Sequence, residues 1–234
     1  MDQIHRRSCT VLAALFSAVA LAACGGGGSG SPSPAASAPP PAPVPAPPSG
    51  PSSADVAFAT PASATDTSEA GKIETYSFAE KGNQLVPGTV TYASSEVSFS
   101  ASLSGDQAYA GTAIRVYAPG NTGAAPVSAF NASGFTKLKI QLKSSSDGVL
   151  SIKLQPSPVA ADGCTATAQA IVNATQSELV IDLNDTMFPL PDYCNGAGSK
   201  VGSVKAGLFA IDVINSATST GSHNLAVGTV KLAP

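Results

Sequence analysis

Apolar and polar residues alternate in short runs along most of the chain after residue 70, and Gly, Ser, Asn and Pro separate these runs. The clearest runs lie in residues 136–155, where leucine or isoleucine occupies alternate positions on both sides of the polar turn 144–148. Successive side chains of a strand point to opposite faces, so this period predicts strands with one buried and one wet face. We therefore expect residues 136–155 to form an antiparallel hairpin.

The same pattern predicts further strands, at residues 74–78, 89–92, 97–103, 114–116, 179–183, 204–214 and 225–232. Residues 204–214 are apolar on both faces, which is typical of a strand in the middle of a sheet. No heptad or long helical period is visible in the sequence. We therefore predict an all-β fold, an antiparallel two-sheet β-sandwich.

The start of the chain has the pattern of an export signal. Arg6 and Arg7 precede the apolar run 11–20, which is too short for a comfortable membrane span. The following Leu-Ala-Ala-Cys at 21–24 resembles the bacterial lipobox, and this resemblance implies that residues 1–23 are cleaved off and that Cys24 is lipidated. Lipobox proteins without an aspartate after the cysteine generally go to the outer membrane. The residue after Cys24 is Gly25, so this resemblance leads us to expect an outer-membrane lipoprotein.

Residues 24–54 contain mostly Gly, Pro, Ser and Ala and almost no large apolar residue, so they cannot form a core. We predict a disordered tether that reaches up to about 90 Å at ~3.1 Å per residue. The tether is either a plain spacer or a site of O-glycosylation on its serines. Residues 55–234 are sufficient for one domain with a real core.

The amino-acid composition limits which classes of partner the protein can bind. The formal net charge is −3 and only 12% of residues are charged, which argues against nucleic acid because phosphate binding needs concentrated positive charge. With Cys9 in the predicted signal and Cys24 in the predicted anchor, Cys164 and Cys194 remain. In an oxidising compartment these two are expected to form a disulfide.

The order of predicted strands across residues 130–232 resembles the galactose-binding-like jelly rolls, which include several carbohydrate-binding modules. The resemblance rests on five segments, at residues 135–140, 150–154, 178–183, 204–214 and 227–232. It implies a two-sheet sandwich, a sugar site and a structural calcium. The final strand, at 226–230, has no acidic residue to hold calcium, and the chain has no tryptophan platform for a sugar. We therefore predict no cofactor and no metal site.

Residues suited to catalysis are few. Beyond the predicted signal the one histidine is His223, which we expect in an exposed loop, and no G-x-S-x-G turn presents a serine nucleophile. The candidate carboxylates are expected in turns or on strand exteriors; they are Asp182, Asp185, Asp192 and Asp212. We therefore predict that the protein is not an enzyme.

Two groups of residues are candidates for ligand binding. Lysines form an outward stripe on the predicted hairpin, where they either bind an anionic glycan or lipid phosphate or simply keep the face soluble; they are Lys137, Lys139, Lys143 and Lys153. The tyrosines at 76, 92, 109, 117 and 193 could stack on sugars.

Tyr193, with Asp192 and Asn195, lies in a long loop that the expected disulfide would pin. A pinned loop loses less entropy on binding, although Tyr193 could instead pack on the disulfide.

These observations predict a lipid-anchored, non-catalytic binding module whose ligand is most plausibly a glycan. Its expected partners are the membrane, through the lipid, and a polysaccharide, an envelope protein or a host protein. The alternative is a structural or protein-interaction surface lipoprotein, an antigen without a small-molecule site.

Overall fold

The folded part of the chain is almost entirely β-strand in the computed structural model. The structure describes residues 54–79, 84–104, 110–125, 127–144, 148–160, 163–172, 178–216 and 221–234. The predicted signal peptide, Cys24 and nearly all of the predicted tether lie outside the described residues. Within the described ranges, no helix has the length and apolar character needed to cross a bilayer.

The elements follow one another along the chain as β1 (Val56–Ala59), β2 (Ile73–Ala79), β3 (Gln84–Ala93), β4 (Glu96–Ser104), β5 (Ala110–Tyr117), β6 (Lys137–Ser144), β7 (Gly148–Pro156), β8 (Thr167–Val172), β9 (Leu179–Asp182), a 3-10 turn (Asp192–Cys194), helix α1 (Val201–Ala206), β10 (Leu208–Ser216) and β11 (Gly221–Ala233). All the strand pairs are antiparallel.

These strands form two sheets. The six-stranded sheet has the order β3-β4-β11-β6-β9, and β1 pairs with part of β11. The five-stranded sheet has the order β2-β5-β10-β7-β8. The prediction of an all-β, two-sheet sandwich of the jelly-roll type is therefore confirmed.

The main hydrophobic core lies between the two sheets. Its members from the six-stranded sheet include Leu138, Ile140 and Leu142, and those from the five-stranded sheet include Ile152 and Leu154, all at most 1% exposed. The alternation predicted for residues 136–155 is thus correct position by position. Each such leucine or isoleucine contributes about 1.5 to 3 kcal/mol by leaving water.

The predicted hairpin of residues 136–155 is wrong. Strand β6 pairs with β11 and β9, whereas β7 pairs with β10 and β8, so consecutive strands belong to opposite sheets. The period of two identifies which side chains face the core, but a strand reaching the core from either side shows the same period. Strand β6 therefore ends at Ser144 in one sheet, and β7 begins at Gly148 in the other.

Residues 204–214 are not one strand as predicted. Helix α1 occupies Val201–Ala206, and the strand begins only at Leu208. Val201 and Val204 are spaced by three and are both buried, as on the inner face of a helix. The remaining part is confirmed as a central strand, because β10 lies in the middle of the five-stranded sheet.

His223 is not in an exposed loop. It lies in β11, is only 5% exposed, and pairs in register with Ala101 of β4. Strand β11 begins at Gly221, before the predicted start at residue 225, and the same alternation that buries Leu225 and Val227 continues back to His223.

The predicted disulfide between Cys164 and Cys194 is confirmed, with the two Cα atoms 5.6 Å apart at a sequence separation of 30. Both cysteines are buried. The bond joins the segment before β8 to the 3-10 turn, so it holds two loops at one end of the five-stranded sheet.

We predict that replacing both Cys164 and Cys194 with serine lowers the free energy of unfolding by about 3 to 4 kcal/mol, because the closed loop restricts the unfolded chain. Urea denaturation of the purified protein measures this loss. A reductant should destabilise the unsubstituted protein and leave the double variant unchanged, and equal stabilities of the two proteins would contradict the prediction.

Candidate functional site

A groove of about 520 Å³ crosses the outer face of the five-stranded sheet. Two further cavities, elsewhere on the described surface, are smaller, at about 290 and 250 Å³. The floor of the groove consists of outward side chains from β2, β5, β10, β7 and β8, and one wall consists of loop residues around Gly163 and Tyr193. Because the inward positions of these strands fill the core, the alternation leaves their polar side chains in the groove.

A row of four charges runs across the outer face of the five-stranded sheet, and three of them, Arg115, Asp212 and Lys153, line the groove. Glu74, Arg115, Asp212 and Lys153 lie directly opposite one another on the neighbouring strands β2, β5, β10 and β7. We call these four residues the charged row. Their signs alternate, and opposite charges at facing positions of antiparallel strands attract one another.

The centre of the charged row is a bidentate ion pair between Arg115 and Asp212. Arg115 Nε donates to Asp212 Oδ1 at 2.6 Å, and its Nη2 donates to Oδ2 at 2.8 Å. Gln155 Nε2 and the hydroxyl of Tyr76 also donate to Oδ2, at 2.7 and 3.3 Å. Asp212 is only 1% exposed, so these donors replace the water that its carboxylate has lost.

This arrangement shifts the pKa values of its neighbours. The hydrogen bonds to Asp212 raise the pKa of Arg115, which therefore stays charged. Burial, and then the negative charge of Asp212, raise the pKa of Tyr76, which therefore stays protonated and able to donate. Arg115 and Tyr76 thus each keep one charge state across the physiological pH range.

Aromatic rings cover one side of the floor. The guanidinium of Arg115 lies over the ring of Tyr76, with its carbon 5.6 Å from the ring centroid. Phe78 lies against Gly111 on the neighbouring strand β5, in register with it. A Cβ atom at Gly111 would come within 2.6 Å of the Phe78 ring, so glycine is what allows the ring to lie on the sheet.

The wall of the groove depends on the disulfide. Gly163 and Tyr193 each immediately precede one of the bonded cysteines, and the hydroxyl of Tyr193 donates to the carbonyl of Gly163 at 3.1 Å. Tyr193 nevertheless remains 62% exposed as a residue. The bond and the hydrogen bond therefore fix an exposed aromatic ring at the edge of the groove.

Of the predicted ligand-binding residues, Tyr193 and Lys153 come together in this groove, with Lys153 Nζ 3.5 Å from the Tyr193 hydroxyl. Asp192 and Asn195 flank Tyr193 in the chain and do not line the groove. The backbone N–H of Asn195 instead donates to the carbonyl of Asp192 at 3.1 Å and closes the 3-10 turn. These two residues shape the loop that presents the tyrosine.

The other three predicted lysines lie on the opposite sheet. Each is paired with a carboxylate at 2.7 or 2.8 Å; the pairs are Lys137 with Asp182, Lys139 with Asp55 and Lys143 with Glu96. The prediction that all four lysines share one face is therefore wrong, because β6 and β7 belong to different sheets.

Sequence reasoning missed the centre of the charged row as a unit. The outward position of Arg115 followed from the alternation, but its partner Asp212 is 97 positions away. The available signal was a charge inside an otherwise apolar run, since Asp212 interrupts the apolar residues of β10. Of the tyrosines, Tyr76 is in the groove, Tyr92 is on the six-stranded sheet, and Tyr109 lies outside the described residues.

In the part of the chain that the structure describes, no group of three or more His, Cys, Asp or Glu side chains could hold a metal ion. Asp212 is the one carboxylate among the groove-lining residues of this part. Asp182 pairs with Lys137 on the other sheet, and Asp185 accepts a hydrogen bond from the N–H of Val201 at 3.2 Å.

Comparison with solved structures gives distant likenesses. A family 11 carbohydrate-binding module from a cellulosomal cellulase of Clostridium thermocellum is 13% identical over 69% of this chain and 86% of the module, with a TM-score of 0.43. A family 11 module from the same organism, solved in complex with a β-1,3-1,4-mixed-linked tetrasaccharide, is 13% identical over 69% of this chain and 88% of the module. Its TM-score is 0.42.

An exo-β-agarase is 12% identical over 76% of this chain and 26% of its own, with a TM-score of 0.40. No protein-family model matches the sequence, and no curated protein matches it either. At these identities the likeness concerns the fold alone, and the structural neighbours include carbohydrate-binding modules.

We predict that Arg115→Met lowers the free energy of unfolding by about 3 kcal/mol, because it leaves the buried Asp212 carboxylate without its counter-charge. The matched control is Lys137→Met, which breaks an ion pair whose side chains are 45% and 54% exposed and should change stability very little. Urea denaturation compares the two variants, and equal losses would contradict a structural role for the Arg115–Asp212 pair.

Proposed function

We propose that this protein is a non-catalytic carbohydrate-binding module that holds a glycan in the groove on its five-stranded sheet. The observation that carries the proposal is the combination, in one open groove, of the exposed Tyr193 and the half-buried Tyr76 and Phe78 with polar groups that are already fixed by hydrogen bonds. Sites for small ligands typically combine apolar walls with a few precisely held polar groups.

A sugar ring matches this combination because it has an apolar face of C–H groups and a rim of hydroxyls. The ring of Tyr193 offers a stacking surface at the wall, and Tyr76 and Phe78 offer further apolar surface on the floor. Since the polar groups of the floor are already ordered, binding loses little side-chain entropy.

Gln155 also supports the binding of a ligand in this groove. Its Nε2 is held by Asp212, which fixes the orientation of the amide, and its Oε1 has no hydrogen-bond partner among the described residues. A buried oxygen without a donor is costly. Gln155 lines the groove, so a ligand hydroxyl that donates to this oxygen after a small shift of the side chain would remove the cost.

The groove is poorly suited to hydrolysis. Glycosidases use two carboxylates on opposite sides of the scissile bond. Among the described lining residues Asp212 is the one carboxylate, and it is buried under Arg115, Gln155 and Tyr76. A binding role without catalysis is therefore the function that the groove supports best.

We predict that Tyr193→Ala weakens glycan binding about five- to tenfold, because it removes the stacking surface at the wall. The control is Tyr92→Ala, which removes a tyrosine that is 41% exposed on the six-stranded sheet, away from the groove. Binding to a broad panel of plant, algal and bacterial polysaccharides, measured by affinity electrophoresis and calorimetry, tests both variants.

If no polysaccharide in this panel binds at millimolar concentration, the proposed function is wrong. Equal weakening by both tyrosine variants would reject the groove as the binding site. A protein-interaction lipoprotein would then be the better explanation, and crosslinking in intact cells should capture its partner.

We also propose that lipidated Cys24 anchors the domain to the outer membrane, with residues 25–54 as the tether. The support is the lipobox-like sequence at 21–24, with Gly25 next to it, and the Pro- and Gly-rich composition that follows. Several acyl chains on one cysteine give stable anchoring, where a single chain is marginal.

We predict that Cys24→Ser abolishes incorporation of radiolabelled palmitate and removes the protein from the outer-membrane fraction of the producing cell, since no other lipid attachment is expected. Cell fractionation and labelling measure both effects. Cys9→Ser is the matched control, because that cysteine lies in the predicted signal peptide and should leave labelling and location unchanged. Palmitate incorporation into Cys24→Ser would refute the anchor.

A further inference from the structure

We infer that the glycan of this groove is anionic, and that Lys153 selects it by binding a carboxylate or sulfate group on the sugar. This inference rests on the proposed function and names the class of glycan. Its basis is the set of contacts that Lys153 makes in the groove and the position of its ammonium beside Tyr193.

Within the charged row, Arg115 already neutralises the negative charge of Asp212. Both its oxygens accept hydrogen bonds from Arg115, and Oδ2 also accepts from Gln155 and Tyr76. Lys153 faces Asp212 in register, yet its contact in the described part of the chain is the hydroxyl of Tyr193 and not a carboxylate. The ammonium of Lys153 is therefore a groove cation without an acidic partner among the described residues.

Four other lysines of the domain are paired with carboxylates. The three on β6 each have a carboxylate within 2.8 Å, and Lys72 is paired with Asp66. Lys153 has no such ion pair among the described residues, and it is the lysine that these residues contribute to the lining of the groove.

The position of the ammonium fits a sugar substituent. It lies beside Gly163, where a Cβ atom would come within 3.2 Å of Lys153 Nζ, so the absence of a side chain leaves room for the cation. The hydroxyl of Tyr193 is 3.5 Å from the same nitrogen. A sugar stacked on the Tyr193 ring would therefore hold a ring substituent within reach of Lys153, where a charge-assisted hydrogen bond forms.

The test compares matched pairs of probes by calorimetry on the purified protein. One pair is an oligogalacturonate and the same oligosaccharide after reduction of its carboxyl groups. The second is a sulfated galactan oligosaccharide and the same chain after desulfation. The pairs separate a carboxylate from a sulfate as the source of charge, because each differs only in that group.

At low ionic strength, the anionic member of at least one pair should bind about fivefold more tightly than its neutral counterpart, a ratio in keeping with a partly exposed ion pair. Added salt should reduce this preference. Lys153→Gln should abolish it, and Lys153→Arg should retain it. Lys231→Gln, which removes a lysine of the six-stranded sheet, is the control and should leave it unchanged.

Equal binding of both members of each pair would overturn this inference, as would a preference that survives in Lys153→Gln. Binding of neutral polysaccharides from the broad panel, with none of the anionic probes bound, would overturn it while leaving the proposed function standing. Failure of every glycan, neutral and anionic, would instead reject the proposed function, and this inference with it.

Discussion

The carboxylate of Asp212 sets a constraint on which the rest of the five-stranded sheet depends. It is a charge that points away from the core and yet is only 1% exposed, so it is tolerated only with a complete set of donors. Arg115, Gln155 and Tyr76 supply them from β5, β7 and β2, which are three different strands. Any shift in strand register would separate these groups, so the ion pair and the register specify one another.

The same ion pair determines which charges are present on the floor of the groove. Arg115 is held by Asp212, with Glu74 3.8 Å away, so its charge belongs to the fold, and Lys153 is the other cation that the described residues contribute to the groove. The disulfide has the corresponding effect at the wall, since Tyr193 and Gly163 lie next to its two cysteines. Floor and wall are thus ordered by the same interactions that stabilise the domain, which reduces the entropy lost on binding.

The local pattern of apolar and polar residues predicted the core positions but not the pairing of the strands. Alternation identified the core positions of β6 and β7, because burial depends on the local period of two. It could not assign those strands to opposite sheets, because pairing depends on distant partners such as β10 and β11. Because of that error, Lys153 was predicted to share a face with the three lysines of β6. In the structure it lies on the other sheet, where it lines the groove. The pinned loop indicated Tyr193 as a candidate but left open whether its ring packs on the disulfide, whereas the Arg115–Asp212 contact spans 97 positions and no spacing rule indicates it.

The central claim is that a glycan binds across the outer face of the five-stranded sheet. Amide NMR spectra of the isotope-labelled protein, titrated with an oligosaccharide that it binds, test this claim directly. The account predicts shifts confined to the groove side, at residues such as Arg115, Ser151, Lys153, Gln169 and Tyr193, with β4, β6 and β9 of the opposite sheet unchanged. Shifts centred on the six-stranded sheet, or saturation without any shift in the groove, would contradict it.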